Sequence, residues 1–179
     1  QTELNDRDYL SVIDTGASRS WDAVSFSIMF PTTQYGIPML LLPQYAKQMG
    51  KKSLENIGLT RELLSFTLTH NALLWPSYIN KAPLYDFWRK ESVLLGIENV
   101  TFFPYWNNNI RCSPNYIKAS YWEFPKGFLL IVSNWHSAKA NAKILLPNKF
   151  HAGNIIEIEN DEKLFINGNI LKLEIPSHD

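Results

Sequence analysis

Asp14-Thr15-Gly16 closes the apolar run Tyr9 to Ile13 and sets a carboxylate on a tight turn at a strand end. Two such carboxylates, held close enough to share one proton, divide acid from base work between them. Only one such triplet occurs here, so a carboxylate dyad would need a second copy of the chain. Asp14 and the nearby Arg19 are candidates to meet a polar ligand from a strand-end loop. For Asp14 the competing reading is a local turn hydrogen bond. His70, His136, His151 and His178 make no zinc spacing, and no metal site is expected. His70 is a candidate ligand contact or a buried structural histidine. Cys112 is the only cysteine, has no histidine beside it in sequence, and excludes an intrachain disulfide. The aromatic candidates are Trp75 and the pair Tyr105-Trp106, each at the end of an apolar run. Asn99-Val100-Thr101 has the form of a glycosylation acceptor but opens an apolar strand, which argues against that use.

These side chains act only where the elements put them. Tyr9 to Ile13 reads as a short strand, Met39 to Leu42 as a short buried run, and Tyr45 to Gly50 as a helical turn. Lys51 to Gly58 reads as an exposed loop. Thr60 suits an N-cap and Glu62 the first turn, with Leu63, Leu64, Phe66, Thr67, His70 and Asn71 following at helical spacing. Ala72 to Trp75 is an apolar strand stopped by Pro76. A second helix is predicted from Pro83 to Leu95, with Gly96 at its C-cap. Val100 to Trp106 is apolar throughout, as in a parallel strand buried on both faces. Alternating helix and strand is the grammar of a parallel sheet or a (β/α) barrel.

Beyond the polar break Asn107-Asn108-Asn109 the pattern changes. Tyr116 to Trp122, Phe128 to Trp135, Ala138 to Leu145, Ile155 to Glu159, Lys163 to Ile166 and Ile170 to Ile175 all read as short strands. Asn167-Gly168 is the strongest hairpin signal in the chain. The expected fold is therefore α/β followed by all-β, with one unit over residues 1–108 and a small antiparallel β-sandwich over 109–179.

Composition narrows the partners. Seventeen basic and seventeen acidic residues cancel, which leaves no net field to draw nucleic acid or an anionic membrane. No apolar run approaches the roughly 18 residues of a membrane span. Six Trp and eight Tyr recur beside Asn, Ser and Pro, company that suits a carbohydrate ligand as well as a core.

Two resemblances follow. Asp14-Thr15-Gly16-Ala17-Ser18 resembles the catalytic turn of a retroviral-type aspartic protease, a fold that needs strands and a flap where this chain offers two helices. The wider likeness lies elsewhere. YGIPMLLLPQY (Tyr35–Tyr45), LTRELLSFTLTHNALLWPSYIN (Leu59–Asn80) and FWRKESVLLGIENVTFFPYWNN (Phe87–Asn108) are similar to the last barrel units of glycoside hydrolase family 123-like proteins. KGFLLIVSNWHSAKANAKILLP (Lys126–Pro147) and LKLEIPSHD (Leu171–Asp179) are similar to their C-terminal sandwich.

The resemblance implies the terminal units of a (β/α) barrel joined to a sandwich, and an extracytoplasmic protein. It implies a retaining β-N-acetylgalactosaminidase chemistry in which an adjacent Asp-Glu pair orients the substrate acetamido group and protonates the leaving oxygen. Asp161-Glu162, in a predicted hairpin, does not occupy such a position. The acid pair is then expected upstream of these residues, with no cofactor. The alternative is a non-catalytic carbohydrate-binding or structural module. A sheet edge left open by a missing barrel would favour self-association or pairing with an upstream segment.

Overall fold

The computed structural model describes residues 40–41, 51–92, 96–136, 138–150, 155–158 and 161–177. Asp14, Arg19, the strand expected at Tyr9 to Ile13 and the helical turn at Tyr45 to Gly50 lie outside them.

Strand β1 (Leu40–Leu41) pairs in parallel with β2 (Leu73–Leu74), and helix α1 (Ile57–Thr69) runs between the two in sequence. A 3₁₀ turn, Lys51–Glu55, leads into α1 where an exposed loop was expected. The helix begins earlier than Thr60. Asn56 is its N-cap, with its carboxamide oxygen accepting from the Leu59 amide at 3.2 Å. Thr60 is fully buried inside the helix, and Glu62 lies beyond the first turn. Both Asn and Thr make good caps, and burial of the Thr60 side chain decides between them.

The end of α1 is also set by a side chain tolerant of unusual backbone. Asn71 takes φ 54, its amide donates to Leu68 O at 3.3 Å, and the Ala72 amide donates to Thr67 O at 2.9 Å. This is the Schellman pattern, which satisfies the last carbonyls and turns the chain sharply into β2. Two buried hydroxyls on α1 return their protons to the helix itself: Ser65 Oγ donates to Glu62 O at 2.7 Å and Thr69 Oγ1 to Ser65 O at 2.9 Å.

Helix α2 spans Lys81–Glu91, with Asn80 as N-cap accepting from the Ala82 amide at 3.0 Å. Pro83 sits in its first turn, where the missing N–H has no intrahelical acceptor to lose. The helix ends at Glu91 with Ser92 as C-cap, short of the expected Leu95. Gly96 does take a positive φ of 77, in the turn that follows.

The strand expected to complete a parallel unit does something else. β3 (Thr101–Phe103) is only three residues long and pairs antiparallel with β5 (Ile117–Phe124), Phe102 opposite Trp122. β5 in turn pairs along its whole length with β6 (Gly127–Asn134). A second sheet holds β4 (Arg111–Ser113), β7 (Ala140–Leu145), β10 (Ile166–Asn167) and β11 (Ile170–Ile175) in the order β10-β11-β7-β4. β8 (Ile155–Glu157) and β9 (Glu162–Leu164) form a separate antiparallel pair.

Alternation along β5 sorts the layers. Ile117, Ala119 and Tyr121 share a core with Ala140, Ala142, Ile144 and Leu171 of the four-stranded sheet. The other face carries Ser120 and Trp122 toward the helices, where Ser120 Oγ donates to Thr69 O at 2.8 Å. On β6, Ser133 Oγ likewise donates to Ser65 O at 3.0 Å. Two helices thus pack on antiparallel sheets, mixed α/β first and mostly antiparallel β afterwards. Among the described residues the strands close no barrel.

Asn134, fully buried at the end of β6, ties three chain segments together. Its Nδ2 donates to Ala138 O at 2.9 Å and Pro176 O at 2.7 Å, and its Oδ1 accepts from the His136 amide at 3.0 Å. The segment Lys163 to Ile166, expected as one strand, is divided. Its first part pairs with β8 and its last with β11, and the chain changes sheets at Phe165, which is 91 % exposed.

The Asn167-Gly168 signal does mark a hairpin, with Asn167 opposite Ile170 and Gly168 first in the two-residue loop at φ 62. A Cβ added to Gly168 meets nothing within 4 Å, so the cost of a side chain there is conformational. Gly168→Ala is expected to remove about 1 to 2 kcal/mol of stability. Urea unfolding should show a lower midpoint with an unchanged slope.

Candidate functional site

Three of the candidate residues come together where α1 meets the middle sheet. His70 follows the last turn of α1 and is fully buried. Its Nδ1 lies 2.7 Å from Phe66 O, a carbonyl that can only accept, so Nδ1 carries the proton. Nε2 is then an acceptor, and the Tyr105 hydroxyl donates to it across 3.3 Å. Burial pushes the imidazole down to about 4, against an opposing pull from the Phe66 carbonyl. A neutral ring with both nitrogens engaged orients its neighbours rather than taking up a proton or a metal.

The neighbours are aromatic. The His70 ring stands edge-on to Tyr105 at 5.2 Å, tilted against Trp106 at 4.9 Å and stacked on Trp135 at 5.8 Å. Tyr105 meets Trp106 edge-to-face at 4.8 Å and Trp135 at 5.3 Å, and Phe66 stacks on Trp135 at 4.5 Å. The Tyr105 amide donates to Ser120 Oγ at 2.9 Å, which fixes the loop after β3 to β5. Lys118 Nζ lies 5.5 Å and 5.6 Å from the centres of the Tyr105 and Trp135 rings. Partial burial lowers the pKa of that ammonium from its ordinary value. Trp106 is the open member of the group, 39 % exposed. It is a ring held in place by packing with part of its surface in water.

Trp75 stands apart from this group. It follows β2 directly and is 48 % exposed, and among the described residues it makes no ring contact with the cluster. Trp135 and Lys118, which complete the cluster, were not among the sequence candidates. Period-two alternation carries the signal, since Lys118 shares a face of β5 with Ser120, and Trp135 continues the Ile131–Ser133 face of β6. The Trp135 indole N–H is buried with no acceptor among the described residues.

A cavity of about 20 Å³ lies between α1, α2 and β5, lined among others by Thr67, Asn71, Leu84, Trp88, Glu91 and Trp122. That volume holds about one water molecule. Burial raises the pKa of the Glu91 carboxyl, the one acid in the lining. Cys112 is half-buried, and burial pushes its thiol up to about 11, so it stays protonated at neutral pH. Among the described residues no group of three His, Cys, Asp or Glu is placed to hold a metal ion, and no helix is long and apolar enough to cross a membrane. Set against protein-family models the chain matches none, and set against curated proteins it finds no significant relative.

Proposed function

We propose that these residues are the C-terminal part of a glycoside hydrolase-like, carbohydrate-active protein, and that they contribute a sugar-stacking surface rather than the catalytic acid pair. In this reading β1, α1, β2 and α2 are terminal units of a (β/α) barrel, and the antiparallel sheets are the sandwich that follows it. The ordered motif likeness to family 123-like proteins supports the reading. So does a parallel β-α-β unit with Trp75 directly after its second strand, the end of such units where ligands are met.

The observation that carries the proposal is Trp106. Its ring is backed by His70 and edged by Tyr105, so little freedom remains to lose when the C–H face of a pyranose packs on it. A second reading, a non-catalytic carbohydrate-binding module, is favoured by one observation. The cavity beside Glu91 is far smaller than a sugar ring and offers no second carboxylate.

Titration with N-acetylgalactosamine and its β-linked oligosaccharides, followed by tryptophan fluorescence, tests the proposal. Saturable quenching is expected, with Trp106→Ala weakening it about tenfold or more, which is 1.4 kcal/mol per decade. Because the ring also packs on His70 and Tyr105, a urea melt of the variant separates lost binding from lost stability. Equal affinity in the variant, or no response to any of these sugars, would sink the reading.

A further inference from the structure

The outer face of the four-stranded sheet carries a charge arrangement that the aromatic cluster does not account for. Lys143 of β7 and Lys172 of β11 are direct cross-strand partners, both exposed on the side away from the core. Side chains so paired stand about 4.5 to 5.5 Å apart at their Cβ atoms, and like charges there destabilise a sheet. Neither lysine has an acidic partner among the described residues. Glu174, the nearest acid along β11 on this face, is held by Lys139 at 2.8 Å. In the next row of the same face, Arg111 of β4 is the partner of Leu145, and Leu145 is the partner of Ile170. Leu145 and Ile170 are about two-fifths exposed, 40 % and 39 %.

We propose that this face binds an extended acidic segment of a partner protein, with carboxylates at alternate positions. One carboxylate bridges Lys143 and Lys172 and relieves their repulsion. The next is taken by the Arg111 guanidinium, whose planar fork suits a carboxylate. Lys143 and Arg111 are diagonal neighbours on adjacent strands, about 7 to 8 Å apart. That is close to the roughly 6.8 Å between residues i and i+2 of an extended chain. Lys172, one strand farther away, reaches the first carboxylate from its other side. Leu145 and Ile170 cover the apolar flank of the segment. The face offers aliphatic rather than aromatic surface beside its cations, which favours a peptide over a charged glycan.

The test uses the full chain and a fluorescent synthetic peptide alternating Glu and Ser, with a Gln-Ser peptide as control. Binding by anisotropy is expected for the acidic peptide alone, with affinity falling as salt rises. Lys143→Gln with Lys172→Gln should weaken it more than tenfold, and Arg111→Gln severalfold. Melting of the double variant should occur at the same temperature or higher, because the lysines repel one another in the free protein. Failure of the acidic peptide to bind, equal affinity in the variants, or a lower melting temperature would overturn the proposal. Capture of dextran sulfate through the same lysines, without the peptide, would assign the face to an anionic glycan instead.

Discussion

Asn134→Ala is expected to be the most damaging single substitution at a polar site, costing about 3 kcal/mol. The fully buried carboxamide of Asn134 satisfies carbonyls of Ala138 and Pro176 and the amide of His136 at once. Truncation to Ala removes all three hydrogen bonds and empties the buried space that the carboxamide fills, although the groups it served sit on residues partly open to water. It also frees the end of β6 from the end of β11, two strands that belong to different sheets. Asn134→Asp separates these effects. The carboxylate keeps the acceptor for His136 but cannot donate to the two carbonyls, so it should be at least as damaging at neutral pH and recover partly in acid, when the carboxyl protonates. Urea melts of the three proteins at the two pH values check both statements. A loss under about 1 kcal/mol for Asn134→Ala would mean that the carbonyls find other donors.

The second large effect is a loss of stability in acid that originates at His70. Its imidazole is held at about 4 in the fold against 6.5 for the unfolded chain. Between those values the unfolded state binds the proton that the folded state refuses. Stability is therefore complete above pH 6.5 and falls as the pH drops toward 4, by as much as about 3 kcal/mol. Glu91 works in the opposite sense, because its raised pKa favours protonation in the fold as the solution acidifies. Its presence makes the comparison with a variant necessary. His70→Phe keeps a ring among Tyr105, Trp106 and Trp135 but has nothing to titrate. It should be less stable at neutral pH, with a flatter decline over this range. Parallel profiles for the two proteins would place the acid sensitivity elsewhere.

Much of this architecture is legible in local sequence, and the misreadings have a common cause. Helices α1 and α2 follow from apolar spacing, yet both begin at an Asn that the eye passes over in favour of Thr60 and Pro83. A cap is chosen by which side chain can stay at the surface, and burial is a tertiary property. The apolar run around β3 suggests a parallel strand buried on both faces, yet β3 is antiparallel and only partly covered, with Thr101 exposed and Phe102 and Phe103 half-buried. Apolar residues on both faces also suit a strand of a middle layer, such as β5 between the helices and the four-stranded sheet. Sequence offers no means of telling those two situations apart. The candidate site divides in the same way. His70, Tyr105 and Trp106 stand out by residue type and element ends. Trp135 and Lys118 join them only through the register of β5 on β6 and the seating of α1.

The straps between α1 and the middle sheet also impose an order of events in time. The helix is translated long before its partners, since Ser120 follows Thr69 by 51 residues and Ser133 follows Ser65 by 68. At synthesis rates of about 5 to 20 residues per second, the nascent α1 waits roughly 3 to 14 seconds for the second of these contacts. During that interval Leu64, buried in the finished protein, has β2 and α2 beside it but lacks Trp122 of β5. The ribosome therefore presents an apolar helix to the cell before it delivers the strands that shelter it, and this is the window in which a chaperone would be needed.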